Sequence, residues 1–141
     1  MIVLDTNVIS ALMSQTRDRA VDRWLDTVEP GDLWLPALAI YEVSGGIEVN
    51  SEGCRKRELV AALDRLLTSS FKDRILAFDR DAALAAARIG GIRERRGRPA
   101  GEIDTMLAGI CTCRRAAIAT RNVRHFSDLD VPVINPWTSS G

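Results

Sequence analysis

Histidine occurs once in this chain, at His125, and cysteine three times, at Cys54, Cys111 and Cys113. That scarcity excludes several chemistries at the outset. A zinc cage needs paired Cys or His ligands at C-x-x-C or related spacings. Cys111-Thr112-Cys113 has the wrong spacing and no second pair accompanies it. Three cysteines in 141 residues do not make a secreted disulfide framework, so reduced thiols, buried or half-buried, are expected. No Ser or Cys nucleophile stands in a recognisable setting, so the lone histidine is expected to be structural or superficial rather than a base. No stretch approaches the roughly 18 consecutive apolar residues of a membrane span. The first residues show neither a basic n-region nor a signal-peptide core. The expected compartment is the cytoplasm.

Net charge is absent too, since nineteen Lys/Arg balance nineteen Asp/Glu. The balance conceals a segregation. Residues 1–53 hold three Arg against nine Asp/Glu, and residues 54–141 hold sixteen Lys/Arg against ten. If the fold turns these halves into faces, an acidic cleft beside a basic rim would suit a phosphate-bearing polymer held near a metal.

What is present is an ordinary globular composition, 46% hydrophobic and 27% charged. Its length fits one domain over 1–141 with a real core. Five short apolar runs have the length of buried strands: Ile2–Leu4, Leu33–Leu35, Ile75–Phe78, Ala117–Ala119 and Val131–Ile134. Helical periods lie between them. Val21, Trp24, Leu25 and Val28 repeat at i, i+3, i+4, i+7, as do Leu59, Ala62, Leu63 and Leu66, and Ile103, Met106, Leu107 and Ile110. The alanine-rich run 81–92 favours helix. Thr6 or Asn7 can cap a helix at 8–14, and Pro36 suits the first turn of one at 37–49. Gly45-Gly46, Gly53 and Gly97 with Pro99 mark turns or helix ends. Strands alternating with helices predict a parallel sheet covered on both faces, an α/β/α sandwich.

Ligands of such sheets gather at the carboxyl ends of the strands, and that is where the chain places its isolated acids. Asp5 directly follows the first run. Glu42 is the one acid in the apolar stretch Leu35–Val43. Asp104 falls in the first turn of a helix at 102–115, and Asn122 follows the fourth run. Clustered carboxylates repel and persist only where cations or protons neutralise them. Their oxygens suit Mg²⁺ or Mn²⁺, which polarise phosphate oxygens and acidify bound water. Metal-assisted phosphodiester hydrolysis is the natural reaction class.

Each residue also has a plainer reading. Asp5-Thr6-Asn7 is a good N-cap run, Glu42 can be a solvated helix residue, and Asp104 can serve the helix dipole. Glu102 projects about 200° from Asp104 around the helix and should not share its site. The run Arg93, Arg95, Arg96, Arg98 reads as a solvated helix end, with phosphate contact as the alternative. Trp24, Trp34 and Trp137 have the spacing of core or interface packing rather than of a base-stacking platform.

The segments MIVLDTNVIS, Tyr41-Glu42-Val43, Glu102-Ile103-Asp104, ATRNVRHF at 119–126 and Asn135-Pro136-Trp137 together resemble a PIN-domain ribonuclease. The resemblance is nearest the VapC/FitB-type toxins of bacterial toxin–antitoxin pairs and runs almost end to end. It implies a single PIN-like domain with a five-stranded parallel sheet in the order 3-2-1-4-5. It also implies a Mg²⁺- or Mn²⁺-dependent endoribonuclease with Asp5, Glu42 and Asp104 as metal ligands. Asn122 stands where many members have a fourth acid; its amide can offer an oxygen but removes one negative charge. Thr6 and Thr120 would position the acids or the water, and Arg121 and Arg124 would touch substrate or antitoxin. The implied partners are RNA, a homodimeric second copy, and a small VapB/FitA-like antitoxin through which the complex binds operator DNA.

Competing readings fail on particular residues. A haloacid-dehalogenase-type phosphatase needs a second Asp where Asn7 stands, and a phospho-receiver domain needs a lysine later than Lys72, the last one here. The remaining alternative is a degenerate PIN-like module that binds RNA or a partner without cutting, which Asn122 favours.

Overall fold

The computed structural model describes residues 1–139, so the last two residues of the expected 1–141 domain lie outside the described residues. The elements in chain order are β1 (Ile2–Leu4), α1 (Thr6–Met13), α2 (Arg19–Leu25), β2 (Leu33–Pro36), α3 (Ala37–Glu48), α4 (Cys54–Arg65), β3 (Ile75–Leu76), α5 (Arg80–Arg95), α6 (Glu102–Arg114), β4 (Ala117–Ala119) and β5 (Val133–Ile134). The strands form one sheet in the order β3-β2-β1-β4-β5. Every pairing is parallel: Val3 lies opposite Trp34 on one side and Ile118 on the other, and Ala119 lies opposite Ile134.

Successive strand residues point to opposite faces, and here both faces are dry. Leu4, Leu33, Leu35 and Ala119 join Val8, Ile9, Trp24, Ala39, Val43, Ile47 and Leu63 in one core, under α1 to α4. Val3 and Ile118 join Leu107, Ala108, Ile110, Cys111 and Phe126 in the other, under α5 and α6. Burial on both faces explains why the strands read as unbroken apolar runs rather than alternating ones.

Several boundaries differ from the sequence expectation for identifiable reasons. Helix α1 begins at Thr6, and its N-cap is Asp5 rather than Thr6 or Asn7. Pro36 closes β2 and occupies the N-cap position of α3, so it stands just before the first turn. Gly45 and Gly46 do not end α3 but lie within it on its exposed side, where lost propensity is outweighed by burial of Val43 and Ile47. Helix α2 stops at Leu25, and Val28 reaches the core from a following turn. β5 starts two residues late because Pro132 has no N–H to give, although its carbonyl still accepts from Ile118. β3 stops at Leu76, before Ala77 and Phe78. Of the cysteines only Cys111 is buried, and burial pushes its thiol up to about 12; Cys54 and Cys113 are exposed. No helix among the described residues is long and apolar enough to cross a membrane.

Helices α5 and α6 approach each other through small residues. A Cβ on Gly109 would overlap the Ala82 carbonyl oxygen and lie 2.7 Å from the Ala86 Cβ. Gly109→Ala therefore forces the helices apart and should destabilise the fold by about 1–3 kcal/mol, despite alanine's better helix propensity. Urea unfolding measures the difference.

Candidate active site

Asp5 ends the central strand, and its own N–H continues the ladder to the Ala119 carbonyl at 3.0 Å. Its side chain, on a residue only 4% exposed, faces three donors. The Thr6 N–H donates to Oδ1 at 2.7 Å, and the Thr120 hydroxyl donates to Oδ2 at 2.7 Å. The Asn7 amide reaches Oδ2 at 3.4 Å. Burial pushes the Asp5 carboxyl up, the Thr120 and Thr6 hydrogen bonds oppose that, and the charges of Asp104 and Glu42 push it further up.

Glu42 lies half-buried on the second turn of α3, and its Oε1 accepts from the Thr6 hydroxyl at 2.6 Å. Thr6 thus connects two acids, giving its N–H to one and its O–H to the other. Asp104 arrives on α6, and its Oδ2 lies 2.7 Å from Nδ1 of His125, with the side chains 23% and 44% exposed respectively. Thr120 is fully buried at the end of β4, where its hydroxyl also accepts from the Asn122 N–H at 3.0 Å. Asn122 itself is exposed, and among the described residues its side-chain amide makes no hydrogen bond. Its backbone, not its side chain, is what the structure ties to the acids.

Glu42 and Asp104 open onto different cavities, and Asp5 lines neither. One of about 370 Å³ is lined by Thr6, Glu42 and Arg55 among others. Another, of about 300 Å³, is lined by Asp104, His125, Arg98 and Arg124. Asp5 lies near enough to both Glu42 and Asp104 to feel their charge. Glu102 lines neither of these cavities and opens onto a different one, beside Glu94 and Met106. Arg124 is exposed at the second cavity. Arg121 is engaged elsewhere: its guanidinium stacks 4.0 Å from the centre of the Trp137 ring, whose indole N–H donates to Asp18 at 2.7 Å.

Asp5, Glu42 and Asp104 offer only hard oxygen donors, and burial, the largest influence on Asp5, keeps its carboxyl raised in spite of the bonds from Thr120 and Thr6. That donor chemistry fits Mg²⁺ or Mn²⁺. Among the described residues no three Asp, Glu, His or Cys side chains converge closely enough to make a ready-made cage. One Asp104 oxygen is held by His125 instead.

Two residues enter the site that sequence reasoning placed outside it. His125 was expected to be structural or superficial, yet it is the hydrogen-bond partner of Asp104. Only the short helical turn Val123–His125 brings it back, and nothing in the spacing announces that turn. Arg93 was expected at a solvated helix end but is 4% exposed. The buried positions Ala82, Ala86 and Arg93 fall at i, i+4 and i+11, so helical period carried that signal.

This five-stranded parallel α/β/α arrangement is the PIN fold, and the chain belongs to the PIN domain family, whose model matches residues 2–132. It is similar to the toxin FitB of Neisseria gonorrhoeae, 32% identical over 137 residues covering 97% of this chain and 99% of that one. It is equally similar to the VapC ribonuclease Y4jK of Sinorhizobium fredii, 32% identical over 137 residues covering 97% and 98%. Among solved structures it matches FitAB bound to an IR36 DNA fragment, with a TM-score of 0.89 and 30% identity over 100% of this chain and 99% of that chain.

The raised Asp5 carboxyl has a consequence for stability. A folded-state pKa above the unfolded value means the folded form binds more protons, so this group's contribution favours folding at low pH and turns unfavourable as pH rises through 3.8 and beyond. Asp5→Asn removes that cost at neutral pH while keeping an acceptor for Thr6. In EDTA at pH 7 the variant should melt above the parent, and the gain should shrink as the pH falls toward 3.8.

Proposed function

We propose that this protein is a Mg²⁺- or Mn²⁺-dependent endoribonuclease acting in the cytoplasm as the toxin of a toxin–antitoxin pair. The observation that carries the reading is the junction at Asp5, a carboxylate buried at the end of the central strand and joined to Glu42 through Thr6, which donates to both. Similarity to FitB and to a VapC ribonuclease over nearly the whole length supports it.

Asp5, Glu42 and Asp104 would hold the metal, which when bound supplies Lewis-acid polarisation of a phosphate oxygen and a more acidic water. The remaining work belongs to the chain. Thr6 and Thr120 fix the Glu42 and Asp5 carboxylates. His125 orients Asp104, and Arg124 stands at the rim where an RNA phosphate would pass. Asn122 assists as an uncharged oxygen donor facing solvent beside Thr120.

The proposed partners follow the FitAB resemblance: a small antitoxin that brings operator DNA to the complex, and a second copy of this chain. For the second copy, α5 leaves Leu84 and Ile92 exposed along one edge. Leu84→Glu should reduce the mass seen by light scattering from two chains to one.

Purified, antitoxin-free protein should cleave RNA with Mn²⁺ and not with EDTA. Asp104→Ala should lower that cleavage by roughly 100-fold or more and abolish toxicity on expression, with circular dichroism unchanged. RNA binding without metal-dependent cleavage across tRNA and rRNA would establish the non-cutting module instead. A variant as active as the parent would remove Asp104 from the site.

A further inference from the structure

Arg93 is the most deeply buried cation of the described residues, and every partner it has lies beside the site. Its Nε and Nη2 donate to the two Asp128 carboxylate oxygens, both at 2.8 Å. Nη2 also donates to the His125 carbonyl at 2.7 Å, and Nη1 to the Thr105 hydroxyl at 3.2 Å. Those partners belong to two separate segments. Thr105 is the neighbour of Asp104 in the first turn of α6, whereas His125 and Asp128 lie on the loop after β4. The Arg93 hydrogen bonds hold the Asp128 carboxyl below the usual carboxylate range.

A salt bridge placed for stability alone has no need of this geometry, since buried pairs are often replaceable by apolar groups at no loss. A planar fork with donors in fixed directions does something an apolar side chain cannot: it fixes the angle between the groups it joins. Here it joins the carrier of Asp104 to the carrier of His125, the one side chain that meets Asp104 among the described residues.

We infer that Arg93 is a positioning residue, a buried guanidinium clamp that holds the 122–128 loop against α6 and thereby sets the His125–Asp104 contact. The inference rests on the reading of Asp104 as a site acid. It concerns the residues behind the acids, and it assigns a task to one member of the IRERRGRP run.

Because His125 is the only histidine, the ¹H–¹⁵N spectrum of its imidazole reports the contact without interference. The experiment records that spectrum in the metal-free, full-length parent and in Arg93→Lys, Arg93→Met, Asp128→Asn and Leu63→Ala. Leu63 lies in the opposite core and serves as the control for lost stability. The parent should show one imidazole environment with a slowly exchanging Nδ1–H. Both Arg93 variants and Asp128→Asn should lose that signal, lysine failing to rescue because it offers a point charge without a fork. Leu63→Ala should keep it.

In the RNA assay the clamp variants should lose kcat by about 10- to 100-fold, with KM little changed. Clamp variants that melt earlier yet keep the parent's imidazole spectrum would overturn the inference. If the Arg93 variants do not fold, Asp128→Asn decides, since its half-exposed carboxylate can lose its charge without opening the core. A parent that cuts no RNA would refute the proposed function, and the metal-free spectrum would still decide on Arg93.

Discussion

The carboxylate of Asp5 is buried at the end of the central strand, and much of the fold can be understood as the means of keeping it there. An unpaired buried charge costs several kcal/mol, so each oxygen must be met. Oδ1 is met by the first N–H of α1, which fixes the point at which strand turns into helix. Oδ2 is met by the Thr120 hydroxyl. That second bond requires β4 to be the neighbour of β1 and in register with it, with Ala119 opposite Leu4. Thr120 is held in turn by its N–H on the Ile134 carbonyl, which draws β5 into the same arrangement. One carboxylate thus links the start of the chain to its last two strands.

The second half of the molecule solves a different problem, the delivery of Asp104 from a helix that belongs to the other core. Gly109 lets α6 lie close on Ala82 and Ala86 of α5, so the first turn of α6 has a defined height above the sheet. Arg93, near the end of α5, joins that turn to the loop carrying His125. Close packing sets the position of the helix, and the directional bonds set the orientation of what it carries.

Much of this was legible in the sequence. The five apolar runs gave the strands because a sheet buried on both faces leaves no polar alternation to confuse the pattern. Asp5, Glu42 and Asp104 stand out because one directly follows an apolar strand and the others fall in the first two turns of largely apolar helical segments. Less legible was anything decided by side-chain direction across distant segments. The sequence allows Asp5 to be a cap or a ligand, and its two oxygens let it cap α1 through one and meet Thr120 through the other. Arg93 stood in a run of arginines that are otherwise exposed, and composition hid the one buried member that helical period would have separated. Asn122 held the eye as a substituted acid, yet its backbone N–H on Thr120 is the contact that counts.

The distribution of donors explains how three acids coexist here at all. Glu42 is met by the Thr6 hydroxyl, Asp104 by His125, and Asp5 by Thr6, Asn7 and Thr120. Each carboxylate has its own donors, and no two share a proton. The arrangement is also lopsided. Among the described residues the cavity beside Glu42 has one arginine, Arg55, while the one beside Asp104 is lined by Arg93, Arg98 and Arg124 as well as His125. Arg93 is committed to Asp128, which leaves Arg98 and Arg124 as the exposed cations. Arginines of the basic half of the chain thus border both cavities, Arg55 beside Glu42 and the exposed Arg98 and Arg124 beside Asp104. On the proposed function, a phosphate-bearing chain would meet least repulsion beside Arg98 and Arg124, so its approach to Asp5 would run past Asp104 and its histidine.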